Sequence, residues 1–424
     1  MIVPTAVTIH DRGQHERLVL EYFVHGGPKV VRYVCTGHDT LQFGMTTKFV
    51  HTSDWQIGKV FRFVDSATMG LLQEARLGAI TRVGELAREH GAGHVLVAGD
   101  VYDMEALSSR SLNQPLERMR NFGGVQWHLL PGNHDPHRPN GLWDQLQRKG
   151  VPTNVHIHIA PVPMVFEKES WALLPAPLFH RRALGDPTAY MDDVDLPSSL
   201  ARVAMAHGTV TGFGSDDRDV PNLIAPDRPT RARLSYLALG DWHGQKKINE
   251  RCWYSGTPET DAFDVADGGQ ALLVEISGPD VLPSVTPLAT GHYYWHTLSE
   301  QISSRADIDF LAGKLRGTAG DLNRVLIHLG AEGTLSLDDR QYFQDQIVDG
   351  VAAAVCHMRV DDRRLFPRPT AEDLDRIDRG GFVRAAAEVL KRTAEEGGEA
   401  ERAIAAEALL RLYVEHMKLQ AGQQ

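Results

Sequence analysis

Five short stretches of the chain carry side chains suited to holding divalent metals. They are Ser53-Asp54-Trp55-Gln56, Gly99-Asp100-Val101-Tyr102-Asp103, Pro131-Gly132-Asn133-His134-Asp135, His207-Gly208 and Gly240-Asp241-Trp242-His243-Gly244. Each follows a short apolar run, at 49–52, 94–98, 125–130, 202–206 and 236–239. Runs of that length bounded by Gly and Asp read as buried strands. In an α/β sheet the loops beyond the carboxyl ends of the strands form the ligand site. Singly, the stretches mean little. An Asp after a strand is usually a turn or helix cap, an Asn-His-Asp run is usually a turn, and a lone His is more often a core or surface residue. The ordered set of five is the signal, because carboxylate, imidazole and amide oxygen are the donors that divalent cations take. A two-metal site also needs one carboxylate placed to bridge.

The elements that must position these residues alternate between strand and helix from about 48 to 276. The spacing predicts a helix over 67–90, with Leu71, Ala75 and Ala79 on one face and Gly91 as its stop, and a second helix over 107–122. Strands are predicted at 171–174 and 271–276 as well, and the whole reads as an α/β core. A second unit follows. Strands at 293–298, 324–329 and 353–360 alternate with helices at 307–315 and 337–348, with Ser336 and Asp339 as a capping pair. Pro367-Arg368-Pro369 reads as a stiff linker, and 371–419 as charged helix. There Ile404, Ala408 and Leu412 form an apolar stripe beside Leu409 and Tyr413, suited to packing on the helix at 382–390 or on a partner. Residues 1–44 read poorly, with strand-like runs at 19–24 and 29–35. They are taken as an extension upstream of a start at Met45, with a genuine N-terminal hairpin as the alternative.

Composition limits the function classes. The 424 residues are 42% hydrophobic and 23% charged, a globular balance that excludes a disordered or fibrous chain. No run of 18 apolar residues spans a membrane, and the first residues lack the apolar segment of a secretory signal. Three widely spaced Cys point to a reducing, cytoplasmic setting rather than a disulfide framework, leaving 20 His and 55 Asp and Glu as the plentiful metal ligands. With a net charge of −11, contact with nucleic acid must rest on a local patch or on bound metal.

The series Asp-x-Gln, Gly-Asp-x-x-Asp, Gly-Asn-His-Asp, His-Gly and Gly-Asp-x-His resembles the calcineurin-like metallophosphoesterases. The flanking text, from His51 to Gly58, Gly99 to Asp103 and Tyr254 to Glu259, is similar to the bacterial SbcD-type exonuclease subunit, partner of an SbcC-type ATPase. The resemblance is strong over 48–276. It implies a four-layer αββα sandwich over 45–290, a small α+β capping domain over 291–366, and a helical tail over 367–424 that docks on the ATPase coiled coil. It implies a DNA phosphodiesterase of repair, using a hydroxide activated between two divalent ions, Mn2+ foremost and Mg2+ next. Two-fold dimers are usual in that family, and no dimer signature stands out here.

Position by position, the resemblance implies that Asp54, Gln56, Asp100 and His243 hold one cation. Asp100, Asn133, His207 and Asp241 hold the other, with Asp100 bridging. His134 faces the scissile phosphate, Asp135 orients or charges His134, and Asp103 fixes its loop. The family usually has His where this chain has Gln56 and Asp241. Both changes move the donors from nitrogen to oxygen, which puts the metal identity in question and leaves a decayed, non-catalytic site as an alternative. Lys59, Arg62, His137, Arg138, Lys246 and Lys247 flank the ligand loops and read either as a positive rim for a phosphate backbone or as solvated surface charges. The competing functions are hydrolysis of a nucleotide or other small phosphate ester, and a non-catalytic scaffold for an ATPase.

Overall fold

Two apolar sheets facing each other account for most of the first unit. The computed structural model describes residues 46–212, 221–368 and 381–421, with the backbone of strands Thr5–Ile9, Arg17–Tyr22 and Val30–Cys35. Met45, Pro369 and 371–380 lie outside the described residues. The chain divides into two units, Met1–Tyr293 and Tyr294–Gln424.

In the first unit, one sheet runs in the order Ser284–Ala289, Gln270–Ile276, Thr47–Thr52, His94–Val97, Gln126–Leu129, Val155–Ile157, the last four strands parallel. The other centres on Trp171–Ala176, Ala201–His207, Tyr236–Gly240 and Cys252–Tyr254, all parallel, with Lys246–Asn249 antiparallel at one edge. At its other end Met164–Phe166 joins the sheet to the strands at 30–35, 17–22 and 5–9.

Alternation along the strands divides the core in two, as the pleat requires. Leu96 and Ala98 join Phe49, Trp171, Val203 and Tyr236 between the sheets, whereas Val95 and Val97 join Ile80, Val83, Leu116 and Trp143 beneath the helices Ser66–Glu89, Ser109–Arg120 and Leu142–Lys149. Short helical turns at Ala189–Asp193 and Arg228–Arg231 help cover the outer face of the second sheet, through Met191, Ala232 and Leu234. The layering is the αββα sandwich, with one thin outer layer.

The long helix begins where Asp65 accepts from the N–H groups of Ala67 at 2.8 Å and Thr68 at 3.0 Å. Leu71, expected on its buried face, is 54% exposed, and the buried row is instead Leu72, Ala75, Ala79, Ile80 and Val83. Neighbouring positions lie about 100° apart around a helix, so a row displaced by one residue selects a different face. The buried row also contains Arg76, whose guanidinium donates to Trp55 O at 2.8 Å and Asp54 O at 2.9 Å. This helix therefore braces the first ligand loop.

The second unit holds three parallel strands, Tyr294–Ile302, Val325–Leu335 and His357–Pro367, linked by helices Arg305–Arg316 and Leu337–Phe343. Ser336 Oγ accepts from Asp339 N at 3.2 Å, the expected cap. Helices Phe382–Glu396 and Glu399–Ala421 meet through Ala387, Leu409 and Tyr413, with Phe366 against them, and Lys418 Nζ reaches Glu332 at 2.8 Å. The buried row on the last helix is Ala405, Leu409 and Tyr413 rather than Ile404, Ala408 and Leu412, and Ile404 is 71% exposed. No helix among the described residues is long and apolar enough to cross a membrane.

Besides His207, four imidazoles among the described residues of the first unit are buried, those of His51, His94, His128 and His158. His158 Nε2 donates to His128 Nδ1 at 3.1 Å, His128 Nε2 to His94 Nδ1 at 3.0 Å, and His94 Nε2 to the Glu169 carboxylate at 2.8 Å. His51 accepts from Tyr236 Oη at 3.0 Å and donates to Leu239 O at 3.1 Å. Burial lowers His51 and His158 to about 3, and lowers His128 with help from its neighbours His156, His94 and His158. Unfolding at mild acidity therefore takes up protons on these rings. Each such ring removes up to about 1.4 kcal/mol of stability per pH unit as pH falls below about 6.5, the ordinary imidazole value, toward the folded value. A His158→Gln variant should unfold with about one proton less taken up per chain, giving a shallower loss of stability between pH 6.5 and 4.5. Denaturant titrations across that range measure it, and an unchanged slope would contradict the neutral buried state of His158.

Candidate metal centre

Each ligand loop turns sharply where its strand stops. Asp54 (φ 55°), Gln56 (φ 40°), Asp100 (φ 53°) and Asp241 (φ 107°) all hold left-handed backbone, a conformation that persists in side-chain-bearing residues only when the surroundings enforce it. Here they do. Asp54 N donates to Gly99 O at 3.1 Å, Gln56 N to Asp100 O at 2.9 Å, and Asp241 N to the Asp54 carboxylate at 3.2 Å. Two glycines make room. A Cβ at Gly99 would lie 2.2 Å from His207 Nδ1, and one at Gly132 would lie 2.2 Å from Asp100 Oδ1.

Asp54, Asp100 and His207 offer ligand atoms that all lie within 4.8 Å of one another, and all three residues are buried. His207 Nδ1 donates to Ala98 O at 2.9 Å, so Nε2 is the nitrogen turned toward the carboxylates. That nitrogen lies 3.5 Å from Asp100 Oδ1 and 3.7 Å from Asp241 Oδ1, with no hydrogen-bond partner among the described residues. Asn133 Nδ2 donates to Asp241 Oδ1 at 2.9 Å, which leaves Asn133 Oδ1 buried and likewise unpartnered. Thr209 Oγ1 donates to Asp241 Oδ2 at 2.9 Å.

The electrostatics agree. Burial alone would lower His207, but the charges of Asp100, Asp54 and Asp241 lift it to about 9. Burial raises Asp54 despite the nearby imidazoles His207 and His243. Three crowded carboxylates thus draw a proton onto the one imidazole among them, and a divalent cation would meet the same demand. A buried imidazole nitrogen and a buried amide oxygen, both without a hydrogen-bond partner among the described residues and beside three carboxylates, fit a cation with one nitrogen and several oxygen ligands.

The remaining expected ligands, Gln56 and His243, are adjacent but engaged. Gln56 Oε1 accepts from Lys59 Nζ at 2.9 Å, and Gln56 Nε2 lies 3.3 Å from His243 Nε2. His243 Nδ1 donates to Asp261 Oδ1 at 3.0 Å, and Lys59 Nζ donates to Asp261 Oδ2 at 2.6 Å. Burial opposes charge on His243 and on Asp261, yet their mutual contact outweighs it, raising His243 and, with Arg76 and Lys59, holding Asp261 well below the usual carboxylate range.

His134 sits at the partly open side. Its backbone N donates to Asp100 Oδ1 at 2.9 Å, its Nδ1 donates to Asp103 O at 2.9 Å, and its Nε2 lies 4.0 Å from Asp100 Oδ2. The expected roles of its two carboxylate neighbours are exchanged. Asp135 is buried and accepts from Gly132 N at 2.7 Å and Tyr102 N at 3.0 Å, so it fastens two ligand loops, whereas Asp103 Oδ1 lies 3.7 Å from His134 Nδ1. Burial, then the charge of Asp100, pushes the Asp135 carboxyl up to about 8.

Most of the flanking basic residues are paired. His137 bonds Asp144 at 2.9 Å, Arg138 reaches Glu105 at 3.2 Å, and Lys247 meets Glu250 at 2.6 Å while lying over Trp253. Arg62 and Lys246 are exposed. Three residues at the site went unread in the sequence. Asp261 stands two positions past the Tyr254–Glu259 text that marked the family, a signal that was within reach. Arg181 is exposed and donates to Asn133 O at 3.2 Å, but it sits in a loop with no motif of its own. Trp242 is 48% exposed on the loop between Asp241 and His243.

The sequence profile of the Calcineurin-like phosphoesterase family matches residues 47–221. No curated protein sequence matches the chain. Among solved structures, the chain is similar to TT1561 of Thermus thermophilus, at 12% identity and TM-score 0.39, covering 58% of this chain and 100% of that one. It is also similar to the purple acid phosphatase PPD1 of yellow lupin seeds, at 10% identity and TM-score 0.38, covering 65% of this chain and 57% of that one. A dimetal phosphatase from Danio rerio aligns at 11% identity and TM-score 0.32, covering 56% and 98%. The profile match begins at the first strand of the site and takes in four of the five ligand loops, three of which bring together Asp54, Asp100 and His207. Residues 47–221 thus carry the pattern of a calcineurin-like phosphoesterase domain.

Proposed function

We propose that the chain is a metal-dependent phosphodiesterase that cleaves DNA. The observation that carries this reading is the pair of buried, unpartnered atoms, His207 Nε2 and Asn133 Oδ1, set among Asp54, Asp100 and Asp241. A divalent cation held there would neutralise charge on the phosphoryl oxygens and acidify water. The protein's own groups do the rest. His134, fixed through Nδ1 on Asp103 O, gives a proton from Nε2 to the leaving oxygen. Arg181, fixed on Asn133 O, offers its guanidinium to a phosphate oxygen. Trp242 offers an aromatic face on which a base can stack. The paired helices at 382–396 and 399–421 keep Phe382, Val389 and Ile404 exposed, a surface for the ATPase coiled coil that the resemblance implies.

One observation favours a second reading, hydrolysis of a small phosphate ester. The ion pairs of Arg138 and Lys247, and the engagement of Lys59, leave little of a continuous positive track for a DNA backbone. Purified full-length chain with Mn2+ should degrade linear duplex or single-stranded DNA. Turnover of nucleotides alone would select the small-ester reading, and no hydrolysis of any of these would leave a scaffold.

A further inference from the structure

We infer that this site takes a single divalent cation per chain, and that the ammonium of Lys59 stands in for the second. The inference rests on the metal-dependent reading above. Its observation is the contact set around Gln56. An amide can ligate a metal only through its oxygen, and Gln56 Oε1 faces Lys59 Nζ at 2.9 Å. An ammonium has donors and no lone pair, so it holds the amide in the orientation that turns NH2 toward His243. There Gln56 Nε2 lies 3.3 Å from His243 Nε2, and His243 Nδ1 donates to Asp261. Turning the amide over would set its NH2 against the ammonium. That contact would be repulsive, so the amide oxygen stays on Lys59 and Gln56 is held in a non-ligating state.

Charge points the same way. Asp261 is buried and already faces two cations, Lys59 at 2.6 Å and Arg76 at 3.5 Å. This side of the site carries surplus positive charge, which repels a second dication. The other side gathers Asp54, Asp100 and Asp241 around one imidazole and attracts the first. Lys59 is anchored rather than free to swing aside, since the carboxylate that holds it is itself fixed by His243.

The test is metal stoichiometry, read without turnover. Full-length protein stripped with chelator is titrated with Mn2+, with bound metal counted by elemental analysis and its spin state read by electron paramagnetic resonance. One Mn2+ per chain with a magnetically isolated six-line signal is expected. The double variant Lys59→Met, Gln56→His removes the ammonium and supplies a nitrogen donor, and should bind two Mn2+ with an exchange-coupled signal. Two coupled ions in the unmodified protein would overturn the inference and leave the metal-dependent reading intact. No bound ion would overturn both. A double variant that stays at one ion would show that Lys59 and Gln56 are not what excludes the second.

Discussion

His207→Ala should lower phosphodiester turnover by at least about 10³-fold, since metal-ion stabilisation of a phosphoryl transition state is worth several kcal/mol. His207 is the one imidazole within the carboxylate cluster, and its Nε2 is already aimed there with its proton parked on Ala98 O. Alanine removes the nitrogen donor and leaves Asp54, Asp100 and Asp241 facing one another. Mn2+ affinity, followed by calorimetry, should fall alongside the rate. If the variant kept normal turnover at ordinary metal concentrations, the cluster could not be the catalytic site.

His134→Ala should slow turnover by about 10²–10⁴-fold, the usual share of a positioned proton donor, and leave Mn2+ affinity unchanged. The backbone bond from residue 134 to Asp100 Oδ1 survives the substitution, so the ligand loop keeps its shape. The defect should shrink on an ester with a p-nitrophenolate leaving group, which departs without a proton. A loss of equal size on DNA and on the activated ester would rule out proton donation. A loss of metal would make His134 a ligand. Asp103→Asn should have a milder effect on the same comparison, since the backbone carbonyl that orients the ring remains.

The ligand loops were legible because their chemistry is written in contiguous words. Asp100 to Asp103 and Asn133 to Asp135 each occupy one turn at the end of one apolar strand, and the fold brings those ends together. What fixes Gln56 was not legible. Lys59 lies three positions away and reads either as part of a phosphate-facing rim or as a surface charge, while the carboxylate that anchors it is 202 residues on. Which of Asp103 and Asp135 serves His134 was equally hidden, because both stand in ligand loops and only the turn geometry separates them. Helix faces failed by one residue, at Leu71 against Leu72 and at Ile404 against Ala405. In both helices alanines surround the larger side chains, and two registers of the 3.6-residue period fit almost equally well. Short polar strands such as Lys246–Asn249 gave no apolar run to read. The strands carrying His51, His94 and His128 read as buried, but their partners stood elsewhere in the chain, at Tyr236, Glu169 and His158, and so were hidden.

The left-handed backbone at Asp54, Gln56, Asp100 and Asp241 also bears on how this protein would drift if hydrolysis were no longer required. Each such residue carries a conformational cost on the order of 1–3 kcal/mol, and three of the four add mutual repulsion between carboxylates. Glycine adopts the same backbone freely. A mutant library screened for heat resistance alone should therefore accumulate glycine at these positions, trading catalysis for a more relaxed chain. Among descendants of this fold that have lost their chemistry, the first marks of that loss belong at these strand ends rather than in the apolar layers between the sheets.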